Sequence, residues 1–169
     1  MRLLRRRAVI ITLIAVAMVP VCVARAAPSD ETRDPWATVN VCDTDDAPNT
    51  IGIRASVPGG RNGSEQRFMR FVVQYYSRAD ERWYRVAEGG DSGYLSAGKG
   101  RKARQLGRSF RIQPLRGERV LLRGKVYFQW RVKGEGVVRR ASALTRRGHR
   151  SSAGDDPPGY SAATCAITA

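Results

Sequence analysis

Apolar and polar side chains alternate along residues 124–134, GKVYFQWRVKG, and this pattern constrains the fold more than any other feature of the sequence. Val126, Phe128, Trp130 and Val132 occupy every second position. Because successive side chains of a β-strand point to opposite faces, the pattern predicts a strand with one buried and one solvated face. Antiparallel sheets commonly have this arrangement.

The same alternation recurs in two earlier segments. Met69, Phe71, Val73 and Tyr75 occupy the more apolar side of the segment RFMRFVVQYY. In the segment TIGIRASV every second residue is apolar, and Arg54 lies on the opposite, wetter side. Each segment therefore predicts another antiparallel strand.

Shorter candidate strands fill the intervals, at residues 36–42, 82–87, 109–112, 137–145 and 160–167. Segments rich in glycine, proline, asparagine and aspartate separate them, and these residues favour turns. Eight short strands without an amphipathic stretch of helical length predict an all-β protein, an antiparallel two-sheet sandwich. A closed barrel is the alternative.

The amino terminus has the pattern of an export signal. Four arginines in MRLLRRR precede an apolar run over residues 8–23, which is shorter than the ~20 residues that a membrane-spanning helix needs. Residues 24–26 then supply the Ala-Arg-Ala pattern of a cleavage site. We expect residues 1–26 to be a signal peptide cleaved after Ala26, and an uncleaved membrane anchor is the alternative.

The remainder has the size of one domain. We expect residues 27–35 to be a flexible N-terminal segment and residues 36–169 to form the β-sandwich, with no stable transmembrane helix. The expected location is outside the cell or at the cell envelope.

Three cysteines are present, and removal of the leader takes away Cys22, which leaves Cys42 and Cys165. Disulfides persist in the oxidising conditions that exported proteins meet. We therefore expect a bond between Cys42 and Cys165, which would join the first and last strands and bring the two ends of the domain together. Zinc needs about four ligands, and only His149 could be added to the two cysteines.

The formal net charge is +15, and because five of the arginines lie within residues 1–26, the remainder carries +10. The basic residues concentrate in two segments. The first, GKGRKARQLGR, contains Lys99, Arg101, Lys102, Arg104 and Arg108. The second, RRASALTRRGHR, contains Arg139, Arg140, Arg146, Arg147 and Arg150.

A positive surface attracts polyanions without sequence specificity. The glycines of the first basic segment predict a mobile loop. The candidate polyanion-binding residues are Lys99, Arg101, Lys102, Arg104, Arg139, Arg140, Arg146 and Arg147, and a generally solvated face is the alternative interpretation.

Aromatic residues could add stacking surfaces for sugars or bases. The candidates are Tyr75, Tyr76, Trp83 and Tyr84. The alternation favours a core position for Tyr75 and for one of Trp83 and Tyr84.

Two acidic clusters flank the cysteines and contain Asp43, Asp45, Asp46, Asp155 and Asp156. Carboxylates in loops can bind Ca²⁺, which takes ~6 to 8 oxygen ligands. Side chains of Asp and Asn also stabilise turns, and we favour that role and predict no metal site. His149, the only histidine, lies among arginines, glycines and serines, and is expected in a surface loop.

The strand pattern from FVVQYYSRADERWYRVA through GRSFRIQP to GKVYFQWRVKG resembles the central strands of immunoglobulin-like and fibronectin-type-III-like domains. The region after the leader, which ends in SAATCAI, also resembles uncharacterised exported proteins of high-GC Gram-positive bacteria. The resemblance implies an immunoglobulin-like sandwich that binds, adheres or acts as a spacer. The cysteines depart from the antibody pattern, in which the disulfide joins two interior strands.

These patterns support an exported, non-catalytic module without a cofactor that binds, adheres or acts as a spacer at the cell envelope or outside it. The sequence names no ligand for this module, and the candidate partners are an anionic cell-wall polymer and an envelope protein. The first alternative is a cationic module that binds anionic wall polymer or nucleic acid. The second is a small secreted hydrolase or hydrolase inhibitor, which would need a pocket with convergent polar groups around His149.

Overall fold

The computed structural model describes residues 34–151 and 153–168, so the expected signal peptide and most of the expected flexible segment lie outside the described residues. The described chain is all-β and forms no helix. In particular, no described segment is an apolar helix of membrane-spanning length. The strands are β1 (Trp36–Cys42), β2 (Thr50–Val57), β3 (Gln66–Ser77), β4 (Arg82–Arg85), β5 (Asp91–Gly98), β6 (Arg104–Arg111), β7 (Arg119–Val132), β8 (Gly136–Leu144) and β9 (Cys165–Thr168).

The strands form two sheets, and all of their pairings are antiparallel. Sheet A has the order β1-β2-β6. The centre of sheet B is the long pair β3 and β7, with β4 and β5 along the other edge of β3. Strands β8 and β9 share the other edge of β7. The predicted two-sheet sandwich is confirmed.

The core lies between the two sheets. On β7, Val126, Phe128 and Trp130 are buried as predicted, and Val132 is half-buried. They pack with the inward residues of the other central strands, which include Val39, Ile51, Ile53, Met69, Phe71, Val73 and Leu122. Alternation along the strands therefore gives one continuous apolar core.

Strand β7 continues further towards its amino end than the alternation predicts, because Gly124 lies inside the strand rather than at its boundary. A Cβ atom at Gly124 would come within 2.7 Å of Ile53 Cδ1 and 2.8 Å of Thr145 Cγ2. The glycine therefore permits close packing of sheet B against sheet A at this point.

The predicted disulfide between Cys42 and Cys165 is confirmed, with 5.4 Å between the Cα atoms. Cys42 ends β1 in sheet A, and Cys165 begins β9 in sheet B. The bond thus joins the first and last strands and also ties one sheet to the other.

A long connection between β8 and β9, residues 145–164, covers sheet A, and we call it the cap segment. Its Ala162 exchanges two backbone hydrogen bonds with Val39, at 2.9 and 3.0 Å, along the edge of β1 that does not pair with β2. The amide of Asp156 donates to the carbonyl of Asn40 at 2.9 Å. The edge of β1 is therefore paired, which removes a site where another strand could add.

The cap segment also explains why Arg54 is buried, contrary to the expectation of a wet face on β2. Arg54 is 5% exposed, and its guanidinium pairs with the carboxylate of Asp155 and donates to the carbonyl of His149. Thr38 is fully buried on the same face, and its hydroxyl lies 2.7 Å from that of Ser161. Both faces of β2 are consequently buried.

Three further expectations about the strands are wrong. The segment that begins with Asp91 forms β5 instead of belonging to a turn-rich interval, and it brings the number of strands in the described residues to nine where about eight are expected. Residues 104–111 form β6, instead of belonging to a mobile loop over residues 98–108. Tyr75 is 37% exposed rather than in the core, and it lies near the end of β3, where it pairs with Tyr84 of the short strand β4. Its partner Tyr84 is 40% exposed, and Trp83 is half-buried.

Candidate binding face

Strand β7 places a row of polar side chains on the face of sheet B that points away from the core. Because Val126, Phe128 and Trp130 point inward, the residues between them point outward. The row consists of Arg123, Lys125, Tyr127, Gln129 and Arg131. It carries three cations and no carboxylate.

Arg131 is held in place by two aromatic rings and one amide. Its guanidinium carbon lies 4.1 Å from the ring centroid of Phe68 and 5.2 Å from that of Tyr94. Nε and Nη2 of Arg131 donate to Oε1 of Gln129 at 3.0 and 2.7 Å. Gln129 in turn approaches Tyr94, with Nε2 2.7 Å from the hydroxyl. Stacking and hydrogen bonds therefore fix the position of this cation.

Arg123, at the other end of the row, has an equivalent arrangement. Its guanidinium carbon lies 4.2 Å from the ring centroid of Trp83, and its Nε donates to Oε1 of Gln74 at 2.9 Å. Tyr76 supports the indole from the neighbouring strand, with 5.3 Å between the ring centroids. Partial burial lowers the pKa of Arg123, which nevertheless stays charged at neutral pH.

A third arginine on this face, Arg70, pairs with Asp91. Nε of Arg70 lies 2.8 and 3.1 Å from the two carboxylate oxygens, and Arg85 pairs with the same carboxylate. The hydrogen bond from Arg70 is the main reason that the pKa of Asp91 falls to about 2. Two arginines thus surround one carboxylate, and the face keeps its positive charge.

We call this surface the cationic face, defined by Arg70, Arg123, Lys125 and Arg131. The sequence indicates that Lys125, Gln129 and Arg131 share the solvated side of a strand. It does not indicate that Arg123 and Arg131 have aromatic partners, because Phe68, Tyr94 and Trp83 come from other strands. The signal that could have found the face is the basic character of the wet side of β7.

The candidate residues Lys99, Arg101 and Lys102 lie in the turn between β5 and β6, and all three are exposed. Fully buried Arg67 anchors this turn, since its guanidinium donates to the carbonyls of Lys99 at 2.9 Å and Lys102 at 2.7 Å. Lys99 also lines a shallow depression of about 370 Å³ together with Arg131. Of these three candidates, the structure thus brings Lys99 to the end of the cationic face.

Arg104 and Arg108 belong to β6, the edge strand of sheet A. Both arginines point to the same, core-facing side of the strand as Leu106 and Phe110. They are nevertheless exposed, because β6 lies at the rim of the sheet. Charged residues that face inward on an edge strand discourage pairing with another chain. This position gives the two arginines a structural role away from the cationic face.

The structure places the arginines of the second basic segment in three different environments. Arg139 lies over the indole ring of Trp130, and its Nη2 is 3.7 Å from a carboxylate oxygen of buried Glu65. Arg140 is exposed on β8 opposite Gln129, at the margin of the cationic face. The remaining members lie in the cap segment, with exposed side chains, and are Arg146, Arg147 and Arg150.

The acidic residues occupy separate positions. Asp155 pairs with Arg54 and accepts a hydrogen bond from the amide of Ser151 at 2.7 Å. Asp43 accepts one from the amide of Asn49 at 2.7 Å, and Asp156 accepts one from the hydroxyl of Thr44.

The other two acidic candidates, Asp45 and Asp46, are exposed. In the part of the chain that the structure describes, no three histidine, cysteine or carboxylate side chains form a group that could hold a metal ion.

His149 stacks on the ring of Trp36, with 4.1 Å between the ring centroids and 1° between the planes. Its amide donates to the hydroxyl oxygen of Ser161 at 3.0 Å. The carboxylate nearest in sequence, Asp155, already pairs with Arg54. The described contacts of His149 thus hold the cap segment against sheet A.

No protein-family model matches the chain, and a search of curated proteins finds no relative.

Proposed function

We propose that the protein is an exported, non-enzymatic binding module of the immunoglobulin-like type, and that its cationic face binds an extended anionic polymer of the cell envelope. The observation that carries this proposal is the pair of stacked arginines, Arg123 and Arg131, on one strand. A guanidinium held on a ring has already lost much of its side-chain freedom, so less entropy is lost when it binds an anion.

The length of the row favours a polymer over a small anion. Residues two apart on a strand are about 6.6 Å apart, so the row from Arg123 to Arg131 is about 26 Å long. Several charged groups of one extended chain could therefore contact the row at once. Such contacts act through electrostatics and depend strongly on salt.

The aromatic rings favour a polymer recognised through its charged groups. The rings of Phe68 and Trp83 already carry arginines, so these surfaces are not free to stack on bases. Stacking contributes ~1–3 kcal/mol per base to the binding of single-stranded nucleic acids. An anionic wall polymer is therefore the preferred partner, and nucleic acid becomes an outcome of the test.

Export is supported by two features. Residues 1–26 have the pattern of a signal peptide. The disulfide between Cys42 and Cys165 is of a kind that persists in oxidising compartments. The protein would accordingly act outside the cell or at the envelope.

The experiment compares two double variants that remove the same charge. Arg123→Gln with Arg131→Gln alters the cationic face, and Arg104→Gln with Arg108→Gln alters the edge of sheet A. Binding to polyglycerol phosphate and to single-stranded DNA is measured against salt concentration. For the first variant we expect weaker binding to polyglycerol phosphate and a smaller salt slope, by roughly 0.7–0.9 for each phosphate that the variant no longer neutralises.

The second variant should bind polyglycerol phosphate nearly as the parent does. Equal reductions in both variants would show that net charge alone drives retention and would overturn the proposal. Tighter binding of DNA than of polyglycerol phosphate would also overturn it, in favour of a nucleic-acid partner. Circular dichroism establishes that both variants are folded.

A further inference from the structure

A groove opens beside the cationic face, at the point where β8 ends and the chain turns towards β1. Its volume is about 740 Å³, within the range typical of small-molecule sites. The groove includes Arg123 and Lys125 of the cationic face, and Arg146 of the cap segment adds a third cation. It therefore continues the cationic face sideways into a concave site.

Part of the lining of the groove is apolar. Leu144 is 38% exposed although it belongs to a strand, and it lines the groove together with Pro35 and Trp36. Trp36 is half-buried, and its parallel stack on His149 makes this wall flat. An exposed leucine beside a fixed aromatic side chain is a surface that a ring could cover.

The rest of the lining is polar and mixed in charge. Besides the three cations it contains the hydroxyl of Ser142 and the carboxylate of Asp34. A carboxylate would repel a compact polyanion, but it can accept hydrogen bonds from hydroxyl groups. The groove thus combines cations, a carboxylate that can accept hydrogen bonds from hydroxyl groups, and an apolar surface. This combination suits a molecule with one acidic group, several hydroxyls and an apolar ring face.

We infer that the groove binds a single acidic sugar ring, whose carboxylate or phosphate group pairs with Lys125 and Arg146 while its apolar face covers Leu144. The inference deepens the proposed function, on which it rests, because such a ring is one unit of an anionic wall polymer. The cationic face holds the charges of the chain, and the groove selects the type of unit.

The test is a titration of the folded protein followed by NMR, with the indole Nε1–H of Trp36 as reporter. The probes are glucuronate, glucose 6-phosphate, glucose and inorganic phosphate. We expect glucuronate or glucose 6-phosphate to shift the Trp36 signal and to bind at least about tenfold more tightly than glucose, as one charge-assisted pair would provide. Preference for one of the two acids identifies the acidic group.

Two exposed neighbours provide a matched pair of variants, because Arg146 lines the groove and Arg147 is not among its lining residues. Arg146→Gln should weaken binding of the acidic sugar about tenfold, and Arg147→Gln should leave it within about twofold. Leu144→Ser should weaken binding of the acidic sugar and leave binding of inorganic phosphate unchanged. All three altered side chains are exposed, so the variants are expected to fold.

The inference is overturned if no probe shifts the Trp36 signal, or if inorganic phosphate binds as tightly as glucose 6-phosphate. It is also overturned if the two arginine variants behave alike. Failure of the proposed function would be distinguishable from failure of this inference. In that case the Arg123 and Arg131 double variant would show the same salt slope on polyglycerol phosphate as the parent, whereas Arg146→Gln would still weaken binding of the acidic sugar.

Discussion

Arg54 and Asp155 form an ion pair between sheet A and the cap segment, and the two side chains are 6% and 0% exposed. They lie on different layers, since Arg54 belongs to β2 and Asp155 to the connection that crosses it. A buried ion pair of this kind contributes little to the stability of the fold relative to apolar residues of similar volume, but removing one partner leaves an uncompensated buried charge. The pair therefore specifies where the cap segment lies.

Asp155→Asn tests this role. We expect the free energy of unfolding to fall by about 3–5 kcal/mol, because Arg54 would remain buried without a counter-charge. Chemical denaturation measures the decrease, and hydrogen exchange at the amides of Val39 and Ala162 reports whether the cap segment opens first. Asp45→Asn is the matched control at an exposed position. Parent-like stability of Asp155→Asn would contradict the assignment.

Trp130 is the second test site because it packs in the core and carries the guanidinium of Arg139 at 3.6 Å from its ring centroid. Trp130→Ala should reduce the free energy of unfolding by about 3–5 kcal/mol, because the apolar surface is no longer buried and a cavity remains. Trp83→Ala, at a half-buried position, should cost less. Similar urea midpoints for the two variants would argue against a central role for Trp130.

Acidification should weaken the fold at Asp91. The pKa of Asp91 is about 2 in the folded protein, well below its ordinary value, mainly because of the hydrogen bond from Arg70. A carboxylate with a depressed pKa stabilises the fold above its ordinary pKa, and this contribution disappears as the pH falls towards 2. After allowance for solvent screening at this surface site, the decrease is about 1 kcal/mol between about pH 4 and pH 2.

The control for this prediction is Asp91→Asn, measured by thermal unfolding across the same pH range. The variant should be less stable than the parent near neutral pH and should lose less stability on acidification. Parallel pH profiles for the two proteins would assign the acid sensitivity to other carboxylates.

Alternation predicted the strands that carry much of the core, because a strand with one buried face shows a period of two in its sequence. Strand β5 was missed, since Asp91, Ser92 and Gly93 are turn-forming residues and only Tyr94 and Leu95 favour a strand. Its place is determined by pairing with β3, which is a tertiary effect.

The cationic face could be predicted only in part. The solvated side of β7 was evident, but stacking of Arg123 on Trp83 requires β4 to pair with β3 beside β7. The runs of arginine in the sequence instead favour the segments around Arg101 and Arg147. Density of charge in the sequence does not report which cations share a face after folding.

The exposed rim of β6 has a consequence for contacts between copies of this protein. Any neighbour that tried to extend sheet A would have to cover Arg104 and Arg108, whose charges lie on the core-facing side of that rim. Molecules held together at high local concentration would therefore remain separate particles instead of joining edge to edge into a fibril.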